Sequence, residues 1–450
     1  MLNQTYDVVI VGGGVTGTAL LYTLAQFTDL KRVALVEKYG SIAAVNSRAT
    51  NNSQTIHCGD IETNYTLEKA LKVRRAAQML VRYGCQLPAT VRDRTIFQFN
   101  KMVLGIGPQE CEFLRRRYEQ FQPHFCGMQL LEKSQLAEIE PNVVRREGRD
   151  RPEEVVGLAV LGEYTAVDYG ALARSFVEQA QAVADKTVDL RLGTEIRAIE
   201  PVGTNYRVVT ADGSLTARFV VVSAGGHSLL FAHRMGIGLN YSCLPMAGSF
   251  YFTPQVLNGK VYTVQNDKLP FAAIHGDPDV TVPGKTRFGP TALPLPLLER
   301  YNPQTFLEYL QVLRIDKTVV GVIWDLLKVP DIRNYFIKNV AFEVPGLNRR
   351  LFLQDARKIV PSLRLEDLTF AQGVGGIRPQ LIDKTRHELI LGQAAIDPGG
   401  GLRFNITPSP GATNCMHNAE QDLLRIQEHL GCEVDRTWFD AEPIPENALA

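Results

Sequence analysis

The hydrophobic positions of this chain fall into blocks of changing period. Val8-Val-Ile-Val11 is an unbroken apolar run, short enough for a strand buried on both faces, and it stops at three glycines, Gly12 to Gly14. A helical stretch follows, and Arg32-Val-Ala-Leu-Val-Glu37 then reads as a second buried strand ending in an acid. Leu71, Ala76 and Leu80, set among basic residues, predict a helix over Leu67 to Tyr83 with one solvated face. Phe97 to Gly105 reads as a strand, Gln109 to Gln120 as a charged surface helix and Tyr169 to Val183 as another helix. Asp189-Leu-Arg-Leu192 and Tyr206-Arg-Val-Val-Thr210 alternate as strands do, and Ala211-Asp-Gly-Ser214 supplies a hairpin turn. Arg218-Phe-Val-Val-Val-Ser-Ala-Gly-Gly226 predicts a further buried parallel strand whose C-terminal edge meets a ligand, as in open α/β sheets.

The second half changes style. Gly248 to Leu298 is strand-like with Pro and Gly breaks, which predicts an antiparallel sheet. Thr305 to Lys338 takes a helical period, with Val319, Val322, Ile323 and Leu326 in one stripe and Trp324 beside it. Phe370 to Ala419 is glycine-rich, and a helix over Ala419 to Leu430 closes the pattern. Text of the first kind thus recurs in three separated blocks. The expected fold is α/β: a discontinuous Rossmann-like domain over residues 1–90, 150–240 and 365–435. Residues 91–149 and 241–364 form an inserted α+β domain on a mostly antiparallel sheet, and 436–450 a tail. At 450 residues, two intimately joined domains are also what core size favours.

Composition narrows the function classes. Forty-eight basic residues balance forty-eight acidic ones, so no global field argues for nucleic acid or a purely electrostatic membrane anchor. The seven cysteines are scattered with no CxxC pair, which argues against a disulfide framework or a zinc site, leads to the expectation of no metal, and fits a reducing cytoplasm. No basic region precedes the first apolar run, which therefore reads as a strand and not a leader, and no stretch reaches the ~18 apolar residues needed to span a bilayer. A soluble or surface-associated protein is expected.

The chemistry concentrates at the glycines. Gly12, Gly14 and Gly17 stand in GxGxxG spacing between strand and helix. The first glycine permits the tight turn, the second close approach of a pyrophosphate, and the third helix–strand packing, while the N–H groups of Val15 and Thr16 begin the helix. Glu37, with Lys38 after it, is placed to accept from a ribose. This cradle binds the ADP half of either FAD or NAD. Ser47 to Asp60, including Asn52, Ser53 and Gln54, is a polar loop with neither period, and an interrupted domain suits a large two-part cofactor.

The cradle, together with Asn52-Ser-Gln-Thr-Ile-His-Cys-Gly-Asp-Ile-Glu-Thr-Asn-Tyr-Thr66, Leu269-Pro-Phe-Ala-Ala-Ile-His-Gly-Asp-Pro-Asp279, Thr286-Arg-Phe-Gly-Pro-Thr291, Gly375-Gly-Ile-Arg-Pro-Gln380 and Asn405-Ile-Thr-Pro-Ser-Pro-Gly-Ala-Thr413, resembles the FAD-dependent malate:quinone oxidoreductases over essentially the whole chain, and a shorter branch of them in particular. Several blocks are shared with L-2-hydroxyglutarate oxidases and, more distantly, with glycine and D-amino-acid oxidases. The resemblance implies FAD, oxidation of L-malate to oxaloacetate as in the tricarboxylic acid cycle, a quinone acceptor, and peripheral contact with the inner face of the cell membrane. It also implies that Gly225, Gly376 and the segment Pro410, Gly411, Ala412 and Thr413 touch the cofactor, the last bringing backbone N–H groups toward the far end of the flavin.

Such a reaction needs a cation for the carboxylate and a base for the hydroxyl. Arg378, between Gly375-Gly376 and Pro379, is the first choice for the cation, since a guanidinium fork matches a carboxylate. Arg287 is the second cation, with Lys285 behind it. His275, expected to emerge at a turn with Asp277 or Asp279 orienting its ring, is preferred as the base, and His57 in the polar loop is the alternative. The stripe Val319 to Leu327 reads as packed core before it reads as a membrane face flanked by Arg314, Lys317, Lys328 and Arg333. The competing functions are a flavoenzyme of another 2-hydroxy acid such as L-2-hydroxyglutarate or lactate, an amino-acid oxidase, and a flavin-binding protein without turnover.

Overall fold

The structure is a computed structural model and describes residues 5–265, 274–344, 346–390 and 392–441. Strand Thr5–Val11 lies between Arg32–Val36 and Gly213–Val222, parallel to both, with Thr187–Arg191 outside Arg32–Val36. Leu402–Ile406 runs parallel to Gly213–Val222, while Asn205–Thr210 and Ile196–Val202 continue the sheet antiparallel. The period of two divides the first strand between two cores. Val8 and Ile10 pack with Leu20, Leu24, Phe176 and Leu423 under helices Val15–Phe27, Tyr169–Gln181 and Cys415–Leu430, whereas Val9 and Val11 join Val36, Val220 and Phe404 on the opposite face.

A second sheet of eight strands orders Thr369–Phe370, Tyr251–Pro254, Lys285–Gly289, His275–Pro278, Lys260–Thr263, Lys101–Ile106, Val155–Val160 and Met128–Glu132. Its pairings are antiparallel except for Lys260–Thr263 beside Lys101–Ile106. Helix Asn348–Ile359 covers one face by packing Phe352 and Ala356 with Tyr251 and Phe288. A four-stranded sheet built on Tyr241–Ala247 and Ile377–Asp383 joins the two halves and holds Arg378 opposite Met246.

Several details differ from the sequence reading. The strand expected over Phe97 to Gly105 is two, Ile96–Gln98 pairing with Tyr164–Val167 and Lys101–Ile106 entering the second sheet, because the Asn100 carbonyl turns aside to accept from the Lys260 amide at 2.7 Å. The helical period over 305–338 resolves into Thr305–Leu313, Lys317–Lys328 and Pro330–Ala341. Asp316 caps the second, its Oδ1 accepting from the Val319 amide at 2.9 Å, and Pro330 opens the third, where a missing N–H costs nothing. Val319 and Val322 of the stripe are core, but Trp324 is 60% exposed. Strand Val155–Val160 lies in the second sheet and Ile377–Asp383 in the third, although the expected domain limits grouped both with the nucleotide-binding half. Residues 436–441 do not trail away: helix Thr437–Asp440 seats Phe439 on Phe27, ring centroids 5.1 Å apart. The expected strand before His275 and the rest of the tail fall largely outside the described residues.

Candidate active site

The first glycine turn is fixed by contact. Gly12 has φ +110°, and a Cβ there would stand 2.5 Å from the Ser223 carbonyl oxygen; one on Gly17 would stand 2.1 Å from the Gly12 carbonyl oxygen. Helix Val15–Phe27 starts at Gly14 without a side-chain cap, so its N-terminal dipole is directed at the turn, where the Val15 amide meets Ser47 Oγ at 2.9 Å. Glu37 closes the turn from the next strand: Oε2 accepts from the Gly13 amide at 2.7 Å and Oε1 from the Tyr39 amide at 2.9 Å. Lys38 and Tyr39 both engage Glu299 of the inserted half, whose carboxylate burial pushes up but which these partners hold below its ordinary range.

A cavity of about 270 Å³ opens from this turn. Gly12, Gly14, Val15, Thr16, Glu37 and Lys38 line one part of it, and Asn52, Ser53, Gly225, Gly376, Pro410, Ala412 and Thr413 line others. Gly17 and Gly411 support the wall from behind, since a Cβ on Gly411 would stand 2.4 Å from the Thr407 carbonyl oxygen. Gly376 allows its strand to touch the polar loop, a Cβ there meeting the Asn51 carbonyl oxygen at 2.4 Å. Gln54 is turned away from the cavity, its amide reaching Asp279 Oδ1 at 3.4 Å and its carbonyl accepting from the Val280 amide at 3.0 Å, so its role is to tie the loop to the second sheet.

The four residues expected to do chemistry separate into two layers. His57 and Arg378 line the cavity. His57 Nδ1 lies 2.9 Å from Glu62 Oε1, and its amide donates to Thr413 Oγ1 at 3.2 Å. Burial pushes the Arg378 guanidinium down from its ordinary value, with Tyr335 and Tyr262 opposing, and no carboxylate among the described residues pairs with it. A half-buried guanidinium on a cavity wall, with no carboxylate partner among the described residues, is suited to receive an anion.

His275 and Arg287 stand one layer behind. His275 is not at a turn but opens an inner strand between Lys260–Thr263 and Lys285–Gly289, with its ring stacked on Tyr262 at 4.3 Å. Its Nδ1 is 2.7 Å from Asp277 Oδ2, and Lys260 Nζ is 3.0 Å from Asp277 Oδ1. Both are ion-pair distances without hydrogen-bond alignment. Burial lowers His275 despite Asp277, and Asp277, which burial alone would raise, is held at about 2 by His275 and Lys260. Arg287 is fully buried, its guanidinium carbon 4.5 Å from the centroid of Phe250, a cavity-lining ring, and its Nε 3.4 Å from Asp279 Oδ2. Nη1 and Nη2 have no hydrogen-bond partner among the described residues. Lys285 is exposed. Asp60 and Glu62 fall within the Asn52 to Thr66 block but drew no role from it, and Lys101, Lys260 and Glu299 carry no sequence signal beyond their residue type; only the fold brings these residues together.

A family model described as Malate:quinone oxidoreductase (Mqo) matches residues 4–290. The chain belongs to this family. It is 47% identical to a probable malate:quinone oxidoreductase of Campylobacter jejuni over 98% of this chain and 100% of that one. It is 45% identical to the malate:quinone oxidoreductase of Helicobacter pylori over 98% and 99%. Among solved structures, L-α-glycerophosphate oxidase from Mycoplasma pneumoniae with FAD bound superposes with a TM-score of 0.62 at 22% identity, covering 98% of this chain and 99% of that one. Glycine oxidase from Geobacillus kaustophilus gives 0.64 at 18% identity, covering 94% and 95%. These malate:quinone oxidoreductase relatives span the inserted half as well as the cradle.

Proposed function

We propose that the protein holds FAD in this cavity and oxidises L-malate to oxaloacetate, the electrons passing to a quinone. The observation that carries the reading is that a histidine and an uncompensated arginine, His57 and Arg378, share one cavity with a dinucleotide turn. The fit to FAD is supported by backbone that no side chain can replace: the Gly12 and Gly17 contacts keep the turn open for a pyrophosphate, and Glu37 stands over it for a ribose. Gly376 and Thr407 to Thr413 would flank the ring system. Bound FAD supplies the acceptor for the C2 hydride and its electron pair. Arg378 binds the substrate carboxylate and aims C2, while His57 Nε2, the ring nitrogen left free by Glu62, takes the hydroxyl proton as the carbonyl forms. Arg287 offers the second carboxylate of a dicarboxylate the two nitrogens that have no partner among the described residues, from beneath Phe250.

Quinones dissolve in the bilayer. No helix among the described residues is long and apolar enough to cross a membrane, but three successive helices expose large apolar side chains: Leu307 (66%), Trp324 (60%) and Ile337 (63%), with Ile315 (67%) between the first two. Exposed Arg314, Lys317, Lys328 and Arg333 interleave with them. This surface is the proposed peripheral contact with anionic lipid.

The test is anaerobic mixing of the purified holoenzyme with L-malate while the flavin band near 450 nm is followed, then addition of a soluble quinone. Bleaching by malate and recovery on quinone support the reading. Bleaching by lactate or 2-hydroxyglutarate but not by malate would replace the substrate. A folded protein that binds no flavin would overturn the assignment.

A further inference from the structure

We propose that Glu62 is the positioning residue for His57, fixing its ring through Nδ1 so that Nε2 faces the substrate. The inference rests on the reading of His57 as the base. An ionised carboxylate only accepts hydrogen bonds, so the 2.9 Å contact between His57 Nδ1 and Glu62 Oε1 places the ring proton on Nδ1 and leaves Nε2 as the proton acceptor. The backbone that presents Glu62 is built for this placement. Gly59, at φ +84°, turns the loop hard against helix Leu67–Gln86, where a Cβ would stand 2.3 Å from the Ala70 carbonyl oxygen. Arg117 Nη2 then donates to the Glu62 carbonyl oxygen at 2.8 Å.

The carboxylate itself is unevenly compensated. Oε1 meets His57, but Oε2 is buried and takes no hydrogen bond among the described residues. Burial pushes Glu62 up, yet the His57 hydrogen bond and the charge of Lys101 hold it below its ordinary range. Lys101 is fully buried, 2.8 Å from Asp60 Oδ1 and 2.9 Å from Oδ2, and therefore cannot swing away. Of the other titratable groups around the dyad, Cys58, Tyr65, Tyr169 and Tyr262 are pushed upward by burial and stay neutral, while Lys69, over the Tyr65 ring at 4.2 Å, is a second cation that Glu62 favours. A buried carboxylate satisfied on one side gains most when the ring beside it becomes positive, which is the state His57 reaches as the substrate hydroxyl loses its proton. Glu62 therefore acts through His57, without touching the substrate.

The experiment compares wild type, Glu62→Gln, His57→Gln and the double variant as FAD-loaded enzymes. In Glu62→Gln the rate of flavin reduction at saturating malate is expected to fall ~10–100-fold, the range for losing a partner that orients a histidine. KM for malate and bound FAD stay unchanged. In the His57→Gln background the same change costs nothing further. As a readout independent of turnover, ring nitrogen NMR of the neutral imidazole should show the signal lost in His57→Gln with its proton on Nδ1 in wild type and with the two tautomers mixed in Glu62→Gln. Additive losses, or a ring tautomer that does not change, would overturn the inference. If Glu62→Gln does not fold, Glu62→Asp enters the same cycle, with additivity again the adverse result. Failure of malate to bleach the wild-type flavin would instead strike the underlying functional reading, while leaving the NMR comparison decisive for the pair.

Discussion

Lys101 and Lys260 stand side by side on neighbouring parallel strands, both buried, and each is matched to its own aspartate, Asp60 or Asp277. Two ammonium groups in adjacent register inside a sheet are tolerable only while both carboxylates remain. Removing one partner leaves an uncompensated buried charge, whereas replacing a whole pair by apolar groups of similar size is often nearly neutral.

Asp60→Asn is accordingly expected to destabilise the protein by ~3–5 kcal/mol. The double change Asp60→Leu with Lys101→Met should recover most of that loss. Apparent melting temperatures and denaturant midpoints of wild type and these two variants check this; a double variant no better than Asp60→Asn would show that the site does not tolerate apolar replacement.

The glycine turn makes a sharper claim. Gly17→Ala drives a methyl group into the Gly12 carbonyl oxygen, at 2.1 Å before relaxation, so the turn must open and lose its aim. The variant should purify with little or no FAD, read from the flavin-to-protein absorbance ratio, and added FAD should bind at least ~10-fold more weakly, the equivalent of a 1.4 kcal/mol loss. Undiminished FAD content would mean that the pyrophosphate does not depend on this turn.

The two arginines should separate kinetically. Arg378→Lys keeps the charge but loses the fork, so KM is expected to rise for malate and for a monocarboxylate alike, by ~10-fold or more for a weakened bidentate contact. If Arg287, 4.5 Å from the Phe250 centroid, takes the second carboxylate as proposed, Arg287→Met should weaken malate more than lactate. Steady-state kinetics with both substrates decide the matter; equal losses in Arg287→Met would remove that residue from substrate selection.

Acid should loosen the closing helix first. Burial raises Glu420, but His417, Arg75 and Arg436 outweigh it and hold the carboxylate at about 2. Because the folded value is depressed, the stabilisation is present above the ordinary value near 4.5 and is lost as pH falls toward about 2. Arg75 is half exposed, so screening reduces the effect to ~1–2 kcal/mol. Glu420→Gln should lower the melting temperature at pH 7 and flatten its decline between pH 5 and pH 3. Identical acid profiles for variant and wild type would assign the decline to other carboxylates, Asp277 foremost.

What was legible in the sequence is what neighbouring residues determine. Gly12, Gly14, Gly17 and Glu37 form a local unit, so spacing alone located the turn, and the apolar runs located the strands around it. The choice between His57 and His275 was not local. His275 resembles a turn residue because Gly276 and Pro278 follow it, yet the segment pairs on both sides, with Lys260–Thr263 and Lys285–Gly289, inside the second sheet. Lys101 and Lys260 were invisible for a related reason: lysine belongs at the surface unless a carboxylate is delivered to it, and each carboxylate comes from a different segment. Gln54 sits in the right loop, but a positive φ of 50° turns it toward Asp279, which no side-chain pattern announces.

The nucleotide-binding half is assembled from the earliest and the latest parts of the chain, since Leu402–Ile406 completes the sheet that Thr5–Val11 begins and Cys415–Leu430 roofs the helix that follows the glycine turn. During synthesis the turn therefore emerges hundreds of residues before Thr407 to Thr413, the segment that walls the far part of the same cavity. The inserted half must fold or wait while its host is still incomplete. Cofactor capture is thus a late event in the life of the nascent chain, and translation pauses or truncations near residue 400 would leave a domain with an intact fingerprint and nothing to hold.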